Sequence, residues 1–131
     1  MNSRVSEDLE SDGGVRVKET ELMIHATIRM KMPAQKVREG VEILRSVAER
    51  TRVQPGCIGC RIYHDAQEEN VIMIDELWRS QEDLDQHLRS ADYREVLLVV
   101  EMAEETPEIK FAETAESTGV ETIEKARTPI K

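Results

Sequence analysis

The sequence predicts an α+β domain in which four antiparallel strands and two helices follow the order β-α-β-β-α-β. Three observations lead there. Leu22, Ile24, Ala26, Ile28, Met30 and Met32 alternate with Met23, His25, Thr27, Arg29 and Lys31, a period of two that marks a half-buried strand. Two later stretches, Val37 to Ala48 and Leu84 to Val100, place apolar residues three and four apart, as amphipathic helices do. Between these stretches, two strand-like runs flank the polar turn Gln67 to Asn70 and read as a hairpin.

Each element has its own local signals. The first strand carries a wholly apolar face and a second face bearing its polar groups. Pro33 suits the first turn of a helix, whose stripe is Val37, Val41, Leu44, Val47 and Ala48. That helix stops before Gln54-Pro55-Gly56, because Pro55 disfavours helical geometry at Gln54. Cys57 to Asp65 then forms the second strand and Val71 to Trp78 the third. Ser80 is placed as N-cap of the next helix, with Asp83 completing a variant capping box. Leu84, Leu88 and Ala91 recur at helical spacing, so His87 falls on the flank of the buried stripe with its polar edge reachable. Ser90-Ala91-Asp92 kinks this helix before Tyr93, Val96, Leu97 and Val100 continue it. Thr106-Pro107 ends it, and Ile109 and Phe111 mark a fourth strand. The order is the split βαβ pattern of ferredoxin-like folds.

Residues 1–20 read as a flexible polar arm around Gly13-Gly14, in which Val15 and Val17 offer a short edge strand. Residues 21–115 hold the domain, and 116–131 form a C-terminal extension. Within the extension, Gly119 to Arg127 reads as a short helix or an extra strand, with Val120 and Ile123 as its contacts to a partner subunit.

A chain of 131 residues supports one core, built mainly from Val, Ile, Leu and Met because only four residues are aromatic: one Trp, two Tyr and one Phe. A net charge of −9 without a clustered basic face argues against nucleic acid and against anionic membranes as partners. No apolar run is long enough to cross a bilayer, and Met1 to Asp12 lacks the apolar core of a secretory signal. The expected location is the cytoplasm. Cys57 and Cys60 spell C-x-x-C, but they open a strand, where residues three apart point to opposite faces. Neither a thioredoxin-type helix N-terminus nor two further zinc ligands accompany them, so both are expected to be ordinary reduced thiols.

Pro55-Gly56-Cys57-Ile58-Gly59-Cys60, the strand ending Tyr63-His64-Asp65, the strand Val71 to Leu77, Glu76-x-Trp78-x-Ser80 and His87-Leu88 together resemble the antibiotic biosynthesis monooxygenase domain over about residues 21–111. The resemblance implies a ferredoxin-like subunit and a homodimer whose two sheets pack into a shared barrel. It also implies cofactor-independent oxidation of an electron-rich aromatic, a quinol or polyketide-like molecule, by molecular oxygen, with neither metal nor other cofactor. Haem-degrading relatives use an asparagine on the first strand and a histidine late in the second helical region. This chain has no asparagine between Glu21 and Met32 and no histidine from Tyr93 to Ala103, so the resemblance does not extend to haem. Ile74 and Leu84 also stand where characterised oxygenases add polar groups.

Oxygen, a ground-state triplet, reacts slowly with closed-shell molecules, and deprotonating a phenol supplies an anion electron-rich enough to overcome this. Such an enzyme needs a dry cavity, a base titrating near the working pH, and donors for the anion. His87 is the candidate base and Trp78 the candidate planar wall, with Glu76, His25 and Arg29 as further substrate-binding candidates. Each has a plainer reading: Trp78 as core, Glu76 as a strand acceptor, His87 as a packed helix residue, His25 and Arg29 as interface. His64 and Asp65 are expected at the solvent. Two other functions fit the same scaffold: a non-oxygenase small-molecule binding protein or isomerase, and a dimer without chemistry.

Overall fold

Alternation along the first strand divides the molecule into two faces. A computed structural model describes residues 22–129 of the chain. Strands β1 (Met23–Lys31), β2 (Cys57–His64), β3 (Val71–Trp78) and β4 (Glu108–Thr114) form one antiparallel sheet in the order β2-β3-β1-β4, the ferredoxin-like arrangement expected. Ile24, Ala26, Ile28 and Met30 pair directly with Trp78, Glu76, Ile74 and Ile72, so these residues share one face. Helices α1 (Val37–Thr51), α2 (Gln81–Leu88) and α3 (Ala91–Glu101) cover it. Leu44 and Val47 from α1 and Val96 and Val99 from α3 are fully buried against Met30, Ile72 and Ile74. A smaller cluster of Ile24, Trp78 and Leu84 closes the end under α2. The proposed arm, including Val15 and Val17, lies outside the described residues.

The opposite face carries His25, Thr27, Arg29 and Lys31 from β1 with Met73, Asp75 and Leu77 from β3. No described helix covers it. Its polar groups pair within the face: His25 Nε2 lies 3.0 Å from Asp75, and Arg29 donates to Asp65 at 3.1 Å and Glu68 at 3.0 Å. Asp65 is half-buried rather than free in solvent, because its Oδ1 also accepts the backbone N–H groups of Gln67 and Glu68 and so shapes the hairpin turn. Those backbone bonds, with Arg29, hold its carboxyl below the usual range. His64 is exposed, as expected.

Two local details differ from the sequence reading, and one open alternative is decided. Pro33 adopts an extended backbone (φ −57°, ψ 142°) and leads into a short 3-10 turn, Ala34–Lys36, so α1 begins at Val37. The second helical stretch is two helices. Ser90, extended at φ −79° and ψ 163°, ends one and caps the other: its Oγ donates to the His87 carbonyl at 2.6 Å and accepts from the Tyr93 N–H at 3.2 Å. The extension is helical as α4 (Val120–Arg127), with Val120 and Ile123 exposed. Ser80 caps α2 as expected, accepting from the Asp83 N–H at 3.1 Å.

The loop from α1 to β2 is latched to the β3–α2 junction, where Arg79 N–H donates to the Gly56 carbonyl at 2.8 Å. Gly56 sits at φ 83°, and a Cβ there would overlap the Asp83 carboxylate. Both the left-handed backbone and the close approach require glycine. Gly56→Ala is expected to cost about 1–3 kcal/mol, read as a lowered midpoint in reversible chemical denaturation.

Candidate functional site

Among the described residues, the sheet face under the helices buries one carboxylate within its apolar side chains. Glu76, on β3 between Ile74 and Trp78, is 4% exposed. Residues 76 and 78 share a face by strand alternation, and this lets the Trp78 indole N–H donate to Glu76 Oε1 at 2.9 Å. The second carboxylate oxygen faces His87 Nε2 at 3.3 Å. α2 brings this imidazole from above, stacked on Trp78 with ring centroids 4.7 Å apart. Tyr93, in the first turn of α3, meets the imidazole edge-on at 5.2 Å. The other imidazole nitrogen, Nδ1, lies 2.9 Å from Gln54 Oε1.

His87 is therefore 1% exposed, with both ring nitrogens occupied inside the protein. The expectation of a reachable polar edge is corrected: the break after Leu88 lets α2 and α3 close over the ring together. Trp78 is fully buried core, its ring covered by His87 and packed with Ile24 and Leu84. Ile74 and Leu84 point inward as read. His25 and Arg29 do share a face, but it is the far one, since odd positions of β1 point away from the helices. They do not join Glu76, Trp78 and His87, and the sheet itself separates the two groups.

Under α3 is a cavity of about 10 Å³, bordered by Ala26, Ile28, Ile74, Glu76, Tyr93 and Phe111. Its size suits about one water molecule. The carboxylate facing it is Glu76, with His87 behind, so the imidazole addresses this space through its partner. Burial, reinforced by the Glu76 charge, pushes the Tyr93 phenol up to about 12, which keeps its hydroxyl a donor at neutral pH. Phe111 and Ile109 lie on the same side of β4, opposite Ala26 and Ile28, yet remain 49% and 48% exposed. They flank the cavity towards the open edge of the sheet. A second, roomier groove of about 460 Å³ lies between α1 and β2, lined by Val41, Arg45, Ala48, Arg52, Ile62 and His64 with Glu49.

The cysteines also depart from expectation. Cys57 pairs with Trp78, Gly59 with Leu77 and Cys60 with Glu76, so Ile58 is an extra residue in β2. This β-bulge turns both cysteines to the helix side rather than to opposite faces. Cys60 Sγ approaches Glu76 Oε2 at 3.9 Å. Both are free thiols. Burial, then the Glu76 charge, raises both, Cys60 to about 12. Among the described residues, no group of three or more His, Cys, Asp or Glu could hold a metal ion. No described helix is long and apolar enough to cross a membrane.

Fold and site thus define a ferredoxin-like domain that buries a carboxylate–imidazole pair, stacked on an indole, beneath its helices. The model of the family described as antibiotic biosynthesis monooxygenase matches residues 23–97, more than half of the chain. The chain belongs to that family. It is similar to a conserved protein from Methanosarcina mazei Go1, with 26% identity, a TM-score of 0.66, and 72% of this chain and 94% of that one covered. Rv0793 from Mycobacterium tuberculosis shares the fold at 18% identity and a TM-score of 0.67, over 74% of this chain and 99% of that one. The uncharacterized protein sll1783 of Synechocystis sp. is 29% identical over 89 residues, 67% of this chain. The match spans 60% of that curated relative's length.

Sequence reasoning missed Gln54, which sits in the loop after α1, and Tyr93 as a wall of the cavity. Only Tyr93 left a signal, its place in the apolar stripe of α3.

Because only the thiolate reacts with maleimides or disulfides, both thiols are expected to label slowly at pH 7–8, with half-buried Cys57 ahead of Cys60. The Cys60 rate should climb as pH rises toward about 12, and unfolding the chain should speed both reactions by at least an order of magnitude. Mass spectrometry of the labelled protein checks the order.

Proposed function

We propose that the chain is a cofactor-independent monooxygenase that oxidises an electron-rich aromatic, a quinol or polyketide-like phenol, with molecular oxygen. The observation that carries this reading is the Glu76–His87 pair beside the cavity, walled by Tyr93 and Phe111, in a chain whose family is described as antibiotic biosynthesis monooxygenase. The pair takes the phenolic proton, with Glu76 as the group in reach and His87 sharing the charge. The resulting anion passes one electron to oxygen, and the two radicals combine as a C–O bond at a ring carbon bearing hydrogen. The pair gives its proton to the resulting peroxide anion, and the hydroperoxide so formed then loses the ring hydrogen as a proton to the pair and its outer oxygen as hydroxide. The pair returns its proton to the hydroxide, so substrate and oxygen become a carbonyl and water. Tyr93, on the cavity wall, supplies a hydrogen-bond donor to the anion.

A cavity for one water does not hold an aromatic. Entry in this reading displaces the half-exposed Phe111 side chain and opens the space toward the sheet edge. A second reading is favoured by the groove between α1 and β2, whose volume of about 460 Å³ falls in the usual range for small-molecule pockets. It makes the chain a binding protein without turnover, with Arg45, Arg52 and His64 holding an anionic group. Oxygen uptake with a panel of quinols and anthrones separates the two. Under the oxygenase reading, His87→Ala and Glu76→Gln each lower turnover about 100-fold while the far-ultraviolet circular dichroism of the folded chain is retained. Ligand binding without oxygen uptake, abolished by Arg45→Ala, supports the second.

The reading also includes a homodimer joined through the sheet face that no described helix covers, where Tyr63, Met73 and Leu77 lie among ion-paired charges. Sedimentation at micromolar concentration is expected to show twice the mass of a 15.0 kDa chain, with an interface above roughly 1,000 Å². A monomer under those conditions removes this part of the proposal.

A further inference from the structure

We propose that Gln54 and Asp92 are positioning residues that set which nitrogen of His87 carries its hydrogen, and that the polarity is imposed from the surface by Arg50. As a contribution to catalysis this rests on the reading of Glu76 and His87 as the proton-handling pair. As a statement about the resting protein it does not.

The chain of contacts runs through three helices. Arg50, at the end of α1, donates from Nε to Asp92 Oδ1 at 2.8 Å and from its terminal nitrogen to Glu95 at 3.1 Å. Asp92 Oδ2, in the first turn of α3, accepts from Gln54 Nε2 at 3.1 Å. Gln54 Oε1 then faces His87 Nδ1 at 2.9 Å. A carboxylate only accepts and a guanidinium only donates. Asp92 therefore obliges Gln54 to turn its NH₂ outward and its carbonyl oxygen toward the imidazole. That oxygen accepts only, so Nδ1 carries a hydrogen. The remaining nitrogen, Nε2, shares the next proton with Glu76 across 3.3 Å. Without the amide, a neutral imidazole beside a carboxylate would place its single hydrogen on Nε2 and leave Nδ1 bare. The Gln54 carbonyl excludes that form, so the proton exchanged with a ligand in the cavity is the one held between Nε2 and Glu76.

The network is polar at every link, so replacing one atom at its outer end reverses it. In Asp92→Asn the Arg50 guanidinium still needs an acceptor, which keeps the Asn oxygen toward Arg50 and turns its NH₂ toward Gln54. The Gln54 amide must then rotate, presenting its own NH₂ to His87 Nδ1. That nitrogen becomes an acceptor and its hydrogen moves to Nε2. Gln54→Leu removes the acceptor altogether and frees the same change.

The test is nitrogen-15 NMR of the full chain with labelled histidine, recorded without substrate. In the native protein, His87 Nδ1 is expected in the range of a protonated, pyrrole-type nitrogen. In Asp92→Asn it is expected to move to the range of an unprotonated, pyridine-type nitrogen, with Nε2 shifting the opposite way. Asp92→Glu, which keeps an acceptor-only group, should retain the native pattern. A bare Nδ1 in the native protein overturns the assignment, as does an unchanged pattern in both Asp92→Asn and Gln54→Leu. Should Asp92→Asn fail to fold, Gln54→Leu alone decides. Absence of oxygen uptake by the native protein would remove the oxygenase reading and leave this assignment standing. An unchanged tautomer would remove the assignment and leave the oxygenase reading intact.

Discussion

The burial of one carboxylate organises this molecule. A charge taken out of water is tolerated only when its oxygens are hydrogen-bonded and its charge compensated, and Glu76 meets that condition with groups from separate segments. The Trp78 indole comes from its own strand, the imidazole from α2, and the Cys60 thiol from the neighbouring strand. Each partner constrains the element that carries it. The rotation of α2 about its axis is set by His87 as much as by Leu84, and the loop after α1 is held where Gln54 reaches the ring. Removing one partner of such a pair typically costs more than the pair contributes, because the survivor stays buried and uncompensated.

Much of the fold was legible because its signals are short-range. Two-residue alternation in β1, the stripe in α1, and the Ser80 cap each lie within one window of sequence and each survives in the structure. The site was legible only in outline. Glu76, Trp78 and His87 were singled out, but their mutual geometry depends on how α2 docks, and their solvent access depends on α3 closing beside them. Gln54 lies 33 residues from His87 in the chain, and nothing local in Gln54-Pro55-Gly56 announces a partner for an imidazole. His25 and Arg29 were proposed as site or interface residues because they share one face of β1, and parity along that strand already placed that face opposite Ile24 and Ile28. Ser90 carried a capping signal as clear as Ser80, and a kink was expected where the chain in fact begins a new helix.

The two faces of the sheet have been given different chemistry. The helix side buries Glu76 with an imidazole and an indole on its oxygens, away from solvent. The bare side spreads acids and bases that neutralise one another at 3.0–3.1 Å contacts, where water screens them and each pair contributes little. β4 belongs to both regimes. Its Ile109 and Phe111 face the helix side, but no described helix covers them, so the apolar layer thins toward that edge. A ligand approaching Glu76 from this edge would meet the least tightly packed boundary of the core.

The bulge at Ile58 has a consequence for how this sequence tolerates change in length. Side chains in a strand alternate strictly, so losing or gaining one residue within β2 would exchange its two sides, sending Arg61 and Tyr63 under the helices and Ile62 to the outside. The extra residue already absorbs one such offset between Cys57 and Gly59. Deleting Ile58 would straighten the strand there and leave every pairing from Cys60 to His64 in place, whereas the same deletion three residues later would displace the end of the strand. Within the strand itself, β2 therefore has a position where loss of a single residue is absorbed locally, and it lies beside the carboxylate.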